Sequence, residues 1–195
     1  MPVLANDEAV SHHAPSWWGN RLMLFVEGAA FAILAVSYFY IWWNFDAWPP
    51  QRTQLPDLGV ASINLLVLAV SVAPFWNAAR LAQRHERPVL VGAWLALGVL
   101  LGIAAIVLRV LEFPALHTRY NSNAYGSITW TILAVHLAHL LAGTLQTLLI
   151  ALVMFVGPVE KKHYTDAKVV AMYWYFIVIS WLALYMIVFI TPRLL

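Results

Sequence analysis

Glu27, Asn64, Arg109, Glu112, His136 and His139 are polar side chains that fall inside, or at the end of, long apolar runs of this sequence. A carboxylate or imidazole in hydrocarbon is costly unless it faces protein or water, so each marks an inward direction. His136 and His139 stand three apart, which on a helix puts them on one side. Paired histidines can hold haem iron. Residues three apart on one helix cannot reach opposite faces of one iron, so each would need a partner on another helix. His12, His13, His85, His117 and His163 all fall in polar segments. Intramembrane carboxylates and histidines also build proton relays, as in a small proton-linked transporter. The set is sparse for that, and no apolar run is broken at its middle by paired Gly or Pro with charges. The third class is a structural subunit, whose polar groups satisfy one another while its apolar faces meet lipid and a partner chain. The residue types fit this class best. The chain has no cysteine, which excludes disulfides, thiolate metal sites, iron–sulfur clusters and thiol catalysis.

Five apolar runs must position these groups. Of 195 residues, 63% are hydrophobic and 10% charged, against about half and about a quarter in soluble domains. A bilayer core of about 30 Å takes about 20 helical residues, and backbone in lipid must bond to itself. The chain therefore reads as an all-α membrane protein, a bundle of five transmembrane helices at about 22–43, 58–79, 89–111, 125–156 and 169–190. Residues 1–20 read as a polar N-terminal tail on the water side, with His12 and His13 solvated. The tail lacks the basic start and apolar core of a cleaved signal peptide. Residues 21–195 form the membrane domain. The net charge of +2 is too small to argue for nucleic acid.

Trp17, Trp18, Trp42, Trp43 and Trp48 flank the first run as interface anchors, and Pro49-Pro50 ends it. Glu27 either pairs with Arg21 near the headgroups or turns into the bundle. Pro74 inside the second run predicts a kink. Gly92, Gly98 and Gly102 give the third run a small face for close helix contact. Arg109 and Glu112, three apart, can pair at the end of that helix. The fourth run is longer than a bilayer needs, so it tilts or projects, and Gly143 lets a neighbour approach. Residues 160–168 read as a charged loop. Tyr173, Trp174, Tyr175, Phe176, Trp181 and Tyr185 form a packing or anchoring cluster on the fifth run. An inner N-terminus puts Arg21, Arg80, Arg84, Arg87, Lys161, Lys162 and Lys168 inside, and Arg52, Arg109, Arg119 and Arg193 outside. The positive-inside rule favours that orientation, with the C-terminus outside.

These segments carry a resemblance. From about Arg21 onward the chain resembles subunit III of the haem–copper terminal oxidases (cytochrome c and quinol oxidases), in the five-helix form. LMLFVEGAAFAILAVSYFY is similar to the family's "SE-x-x-F-F" helix, with Glu27 on its carbodiimide-reactive glutamate. SINLLVLAVS resembles "N-T-x-x-L-L-x-S-S", with Asn64 on the asparagine. Glu112, followed by Phe113, falls on a helix-end glutamate that precedes an aromatic. YGSITWTILAVHLAHLLAGT resembles "Y-G-S-x-F-x-x-x-T-G-x-H-G-x-H-V-x-x-G", placing His136, His139 and Gly143 on the two histidines and the glycine. MYWYFIVISW resembles "Y-W-H-F-V-D-x-V-W", with Tyr173, Trp174, Phe176 and Trp181 in place. Tyr175 and Val178 stand where the family has histidine and aspartate, and Ala134 and Ala138 replace glycines. These departures put in doubt a polar network joining the last helix to the others. They mark a divergent branch, or the related protein that accompanies nitric oxide reductases.

The resemblance implies a subunit with no catalytic residue and no metal or cofactor of its own. Haem and copper are then expected in the partner catalytic subunit I, with subunit II alongside. It also implies bound phospholipids, a place in a larger respiratory supercomplex, support of proton uptake and turnover stability, and a bacterial cytoplasmic (inner) membrane location. The complex would reduce dioxygen to water with proton translocation. A buried carboxyl without a partner costs several kcal/mol, on the order of the bilayer-centre penalty. Glu27 is therefore expected to hydrogen-bond with His136 or His139.

Overall fold

The computed structural model describes residues 15–50 and 53–194. The His12-His13 pair, expected to be solvated, and Arg52 lie outside the described residues. Five helices account for most of the rest: α1 (Pro15–Trp42), α2 (Leu58–Gln83), α3 (Pro88–Glu112), α4 (Ala124–Val156) and α5 (Lys161–Tyr185). A π-helical turn (Met186–Ile190) and a last α turn (Thr191–Leu194) extend α5, and a 3₁₀ turn (Pro114–Leu116) follows α3. There is no strand among the described residues. All five helices are long and apolar enough to cross a membrane, and the protein is a multi-pass membrane protein.

Two helices start several residues before the apolar runs. α1 begins at Pro15, so residues 15–20 of the expected tail are helical, and α5 begins at Lys161, so most of the expected charged loop is too. Hydropathy marks the stretch that sits in lipid, whereas a helix continues for as long as its backbone bonds and end groups are satisfied. Proline suits a first turn, as at Pro15 and Pro88. At α5 the Glu160 backbone N–H donates to His163 Nδ1 at 3.0 Å. The opening turns of α5 bury Tyr164, Thr165 and Ala167 against the bundle, and the Tyr164 hydroxyl donates to the Glu86 carbonyl at 2.9 Å. At the start of α4, Asn123 Oδ1 accepts from the Gly126 N–H at 2.8 Å. A Cβ on Gly126 would lie 2.2 Å from the Arg119 carbonyl oxygen, so only glycine fits under that loop. α2 runs unbroken through Pro74.

α2, α3, α4 and α5 form the core, and α1 lies against α4 and α5. The most apolar stretch of α1 is 11% buried, against 33–39% for the others. The centre is aromatic. The Phe75 and Trp174 rings stack 4.6 Å apart, and Trp174 Nε1 donates to Ser71 Oγ at 2.7 Å. Gly98 of α3 meets the Phe75 ring, and Gly102 meets Thr144 and Trp174. The small face of α3 thus accommodates large rings from its neighbours, not only close backbone contact. Trp48 folds inward: its Nε1 donates to the Tyr38 hydroxyl at 2.9 Å, and its ring lies edge-on to Tyr125 at 5.0 Å. Trp18 and Trp43 stay exposed, as anchors do.

Candidate functional site

Two polar clusters lie within the helical bundle. In the larger one Arg109 is the hub. Arg109 Nη1 donates to Glu112 Oε2 at 2.5 Å, and both side chains are fully buried. Asn64 Nδ2, from α2, donates to the other carboxylate oxygen of Glu112 at 2.6 Å. Arg109 Nη2 lies 3.3 Å from His136 Nδ1, and His136 Nε2 lies 3.0 Å from the Ile177 carbonyl oxygen of α5. A carbonyl only accepts and a guanidinium only donates. His136 therefore carries its proton on Nε2, donates it to Ile177, and accepts from Arg109 on Nδ1. The Arg109 guanidinium sits 3.2 Å from the Trp181 ring centroid, within cation–π range. The His136 and Trp181 rings are 4.9 Å apart.

This arrangement links α2, α3, α4 and α5 through one charge pair. Its net charge is zero, as a low-dielectric interior demands. Three atoms in it lack a hydrogen-bond partner: Arg109 Nε, Asn64 Oδ1 and Trp181 Nε1. For Nε the aromatic face supplies part of the missing solvation.

The smaller cluster lies between α1, α4 and α5. Glu27 Oε2 stands 3.7 Å from His139 Nε2, with the two side chains 23% and 16% exposed. Tyr173 is the other polar neighbour of Glu27. At 3.7 Å the expected hydrogen bond to a histidine is not made, and Glu27 Oε2 has no hydrogen-bond partner. The reason is local. His139 spends Nδ1 on the Val135 carbonyl of its own helix, 2.7 Å away, and this fixes the ring where its far nitrogen falls short. Arg21 is not beside Glu27; its guanidinium lies 3.7 Å over the Trp17 ring.

The two histidines thus part company. Three residues around a helix leave them about 60° apart, enough for His136 to face α3 and α5 while His139 faces α1. Phe31 stands between, with its ring 6.2 Å from His136 and 4.8 Å from His139. Of the residues singled out by sequence, Asn64, Glu112, His136 and Trp181 gather around Arg109, and Glu27, His139 and Tyr173 gather at α1. Gly143 belongs to neither: a Cβ there would meet Ile177 Cδ1 at 2.7 Å and Tyr173 at 3.3 Å. Trp174 is also apart, bonded to Ser71.

Sequence reasoning missed Arg109 as the centre. Its spacing to Glu112 predicts the pair, but not that the pair is buried and shared by four helices. The signal was available: Arg109 stands inside an apolar run with Val110 and Leu111 still to follow. Tyr175 and Val178 are half-buried. α5 joins the network without a histidine or aspartate there, through the Ile177 carbonyl and the Trp181 ring.

Chemically, the larger cluster is closed. Both nitrogens of His136 are engaged, so it has no lone pair free for iron, and each carboxylate oxygen of Glu112 has a donor. Among the described residues no three His, Cys, Asp or Glu side chains gather as metal ligands would.

Comparison with known proteins follows the same lines. A family model described as "Cytochrome c oxidase subunit III" matches residues 18–192. The chain is 23% identical to cytochrome c oxidase subunit 3 of Synechocystis sp., over 94% of this chain and 80% of that protein. It is 22% identical to cytochrome c oxidase subunit 3 of Thermostichus vulcanus, over 98% of this chain and 94% of that one. Against cytochrome c oxidase subunit 3 of Triticum aestivum it is 27% identical, over 73% of this chain and 54% of the relative, so it spans about half the length of that plant protein.

Proposed function

This chain belongs to the cytochrome c oxidase subunit III family, and we propose on that premise that it is a non-catalytic subunit of a haem–copper terminal oxidase. Its partners are the catalytic subunit I, which holds haem and copper, and subunit II. Its work is to stabilise the catalytic subunit and its proton uptake, and to hold lipid between its helices. Its place is a bacterial cytoplasmic membrane, and the complex reduces dioxygen to water.

The observation that carries this reading is the closed Arg109 cluster. Its buried ionisable groups are matched to one another, and its histidine offers iron no free nitrogen. The apolar surface fits the same role. α1 exposes Phe25, Val26, Ile33 and Val36, a face for lipid or for a neighbouring subunit. An apolar groove of about 260 Å³ between α1 and α5, lined by Gly28, Phe31, Ala35, Phe176 and Ala183, offers room for an acyl chain.

The test is purification of the complex through a tag on this chain. Identification of a haem-bearing catalytic chain in the same particle is the expected result. A Soret band from this chain alone, or solute flux in liposomes that contain only this chain, would overturn the reading.

A further inference from the structure

A second groove, of about 390 Å³, opens at the end of the bundle where α1 and α5 begin. Its apolar walls are Met23 of α1, Leu149 and Ile150 of α4, and Val170 of α5. Its polar members are Asn20, Gln146 and Asp166. Asn20 is 6% exposed, and both its Nδ2 and its Oδ1 lack any hydrogen-bond partner. Leaving a buried donor and a buried acceptor unmatched costs about 1–3 kcal/mol each. A carboxamide held in that state at the wall of an open groove points to a ligand that supplies both halves.

The lining selects among headgroups. A phosphate satisfies Nδ2 but only accepts, and it would face the Asp166 carboxylate with no basic side chain in the lining. Of the cations of this end, Lys162 pairs with Glu160 at 2.9 Å, and Arg21 lies over Trp17. A zwitterionic head offers an ammonium to Oδ1, but the phosphate it then brings to Nδ2 faces the Asp166 carboxylate. A hydroxyl donates and accepts, so it meets both atoms of Asn20. Adjacent hydroxyls also suit Gln146 and a carboxylate. Asn20 and Asp166 each lie within the first two turns of their helices, at one end of spans long and apolar enough to cross a membrane.

We propose that this groove binds a lipid with an uncharged, polyhydroxyl head, a glycosyl diacylglycerol, in preference to a phospholipid. The inference rests on the reading of this chain as a lipid-holding oxidase subunit and names the lipid class at one site. The whole complex is stripped with detergent. It is then offered equal amounts of glucosyl diacylglycerol, phosphatidylethanolamine and phosphatidylglycerol with matched acyl chains, and retained lipid is counted by native mass spectrometry. The glucosyl lipid is enriched, and Asn20→Leu lowers its retention about ten-fold, the worth of two hydrogen bonds. Gly19→Leu lowers it too, because a side chain there enters open space at the rim and plugs the groove without a clash at its Cβ. Excess free glucose leaves retention unchanged; displacement by glucose would overturn the assignment to a lipid. Equal retention of either phospholipid, or indifference to both substitutions, overturns the site while leaving the subunit reading intact. Failure of the subunit reading shows separately, as a particle without a haem-bearing partner.

Discussion

Glu112→Leu removes one member of a fully buried ion pair and leaves the other in place. Arg109 then keeps its charge at zero exposure, with a ring face and a neutral imidazole for company. Breaking a buried pair from one side costs about 3–5 kcal/mol. Asn64 Nδ2, bonded to Glu112 at 2.6 Å, loses its acceptor, which adds about 1–3 kcal/mol. The expected loss is about 4–8 kcal/mol, a large part of the 5–15 kcal/mol that ordinarily holds a domain. Removing both charges by Arg109→Met with Glu112→Leu newly unmatches only Asn64 Nδ2 and His136 Nδ1. The double variant is therefore more stable than the single one, by about 2 kcal/mol or more. Melting of the purified complex, followed by tryptophan fluorescence, reads the difference. Glu112→Leu lowers the Tm by about 8–32 °C, at about 2–4 °C per kcal/mol for a chain of this size. Glu112→Gln, which keeps one acceptor oxygen but sets an NH2 donor where the second oxygen accepted, falls between. A double variant at least as unstable as Glu112→Leu would refute the claim that one uncompensated charge, and not lost packing, sets the cost.

Gly102→Ala puts a methyl 2.6 Å from Thr144 Oγ1 and 2.9 Å from the Trp174 ring, which its bond to Ser71 holds in place. A loss of about 1–3 kcal/mol is expected, whereas Gly59→Ala, which meets nothing within 4 Å, leaves the melting curve within about 0.5 kcal/mol. Trp174→Phe keeps the stack on Phe75 and deletes the 2.7 Å bond to Ser71, lowering stability by about 1–2 kcal/mol; an unchanged midpoint would show that bond to be idle. Glu27→Gln preserves the fold, because the carboxylate makes no hydrogen bond to either histidine and stands 3.7 Å from His139; collapse of the purified complex would count for a strong ion pair there. At the water-exposed start of α5, the hydrogen bond and charge of Lys162 hold the Glu160 carboxyl below the usual glutamate range. A depressed folded pKa means that its contribution is present above the unfolded value, about 4.3, and fades as pH falls through the lower, folded value. Amide protection at residues 161–164, taken relative to the intrinsic exchange rate at each pH, should therefore fall in acid in the wild type and respond less to acid in Glu160→Gln.

The chemistry of α5 shows how far local pattern reaches. Tyr175 and Val178 break the family motif, and on that ground a network joining the last helix was in doubt. The helix joins through a backbone carbonyl and the face of an indole. Neither leaves a mark in the residue types at the altered positions. Glu27 makes the complementary case. Its burial against α4 and α5 follows from a carboxyl inside an apolar run. Its distance from His139, however, depends on the rotamer that the histidine adopts to reach Val135.

Helix number, their approximate spans and the membrane setting are properties of the linear chain, because transfer into lipid acts on composition over about 20 residues and forces backbone bonds to close within each segment. Sequence pattern also reached the family. The partner of each buried polar group was decided elsewhere, by how four helices rotate against one another. Arg109 and His136 are 27 positions apart, and Asn64 and Glu112 are 48 apart. A lone charge in that interior is costly, so packing and neutralisation had to be solved together. That solution exists only in three dimensions.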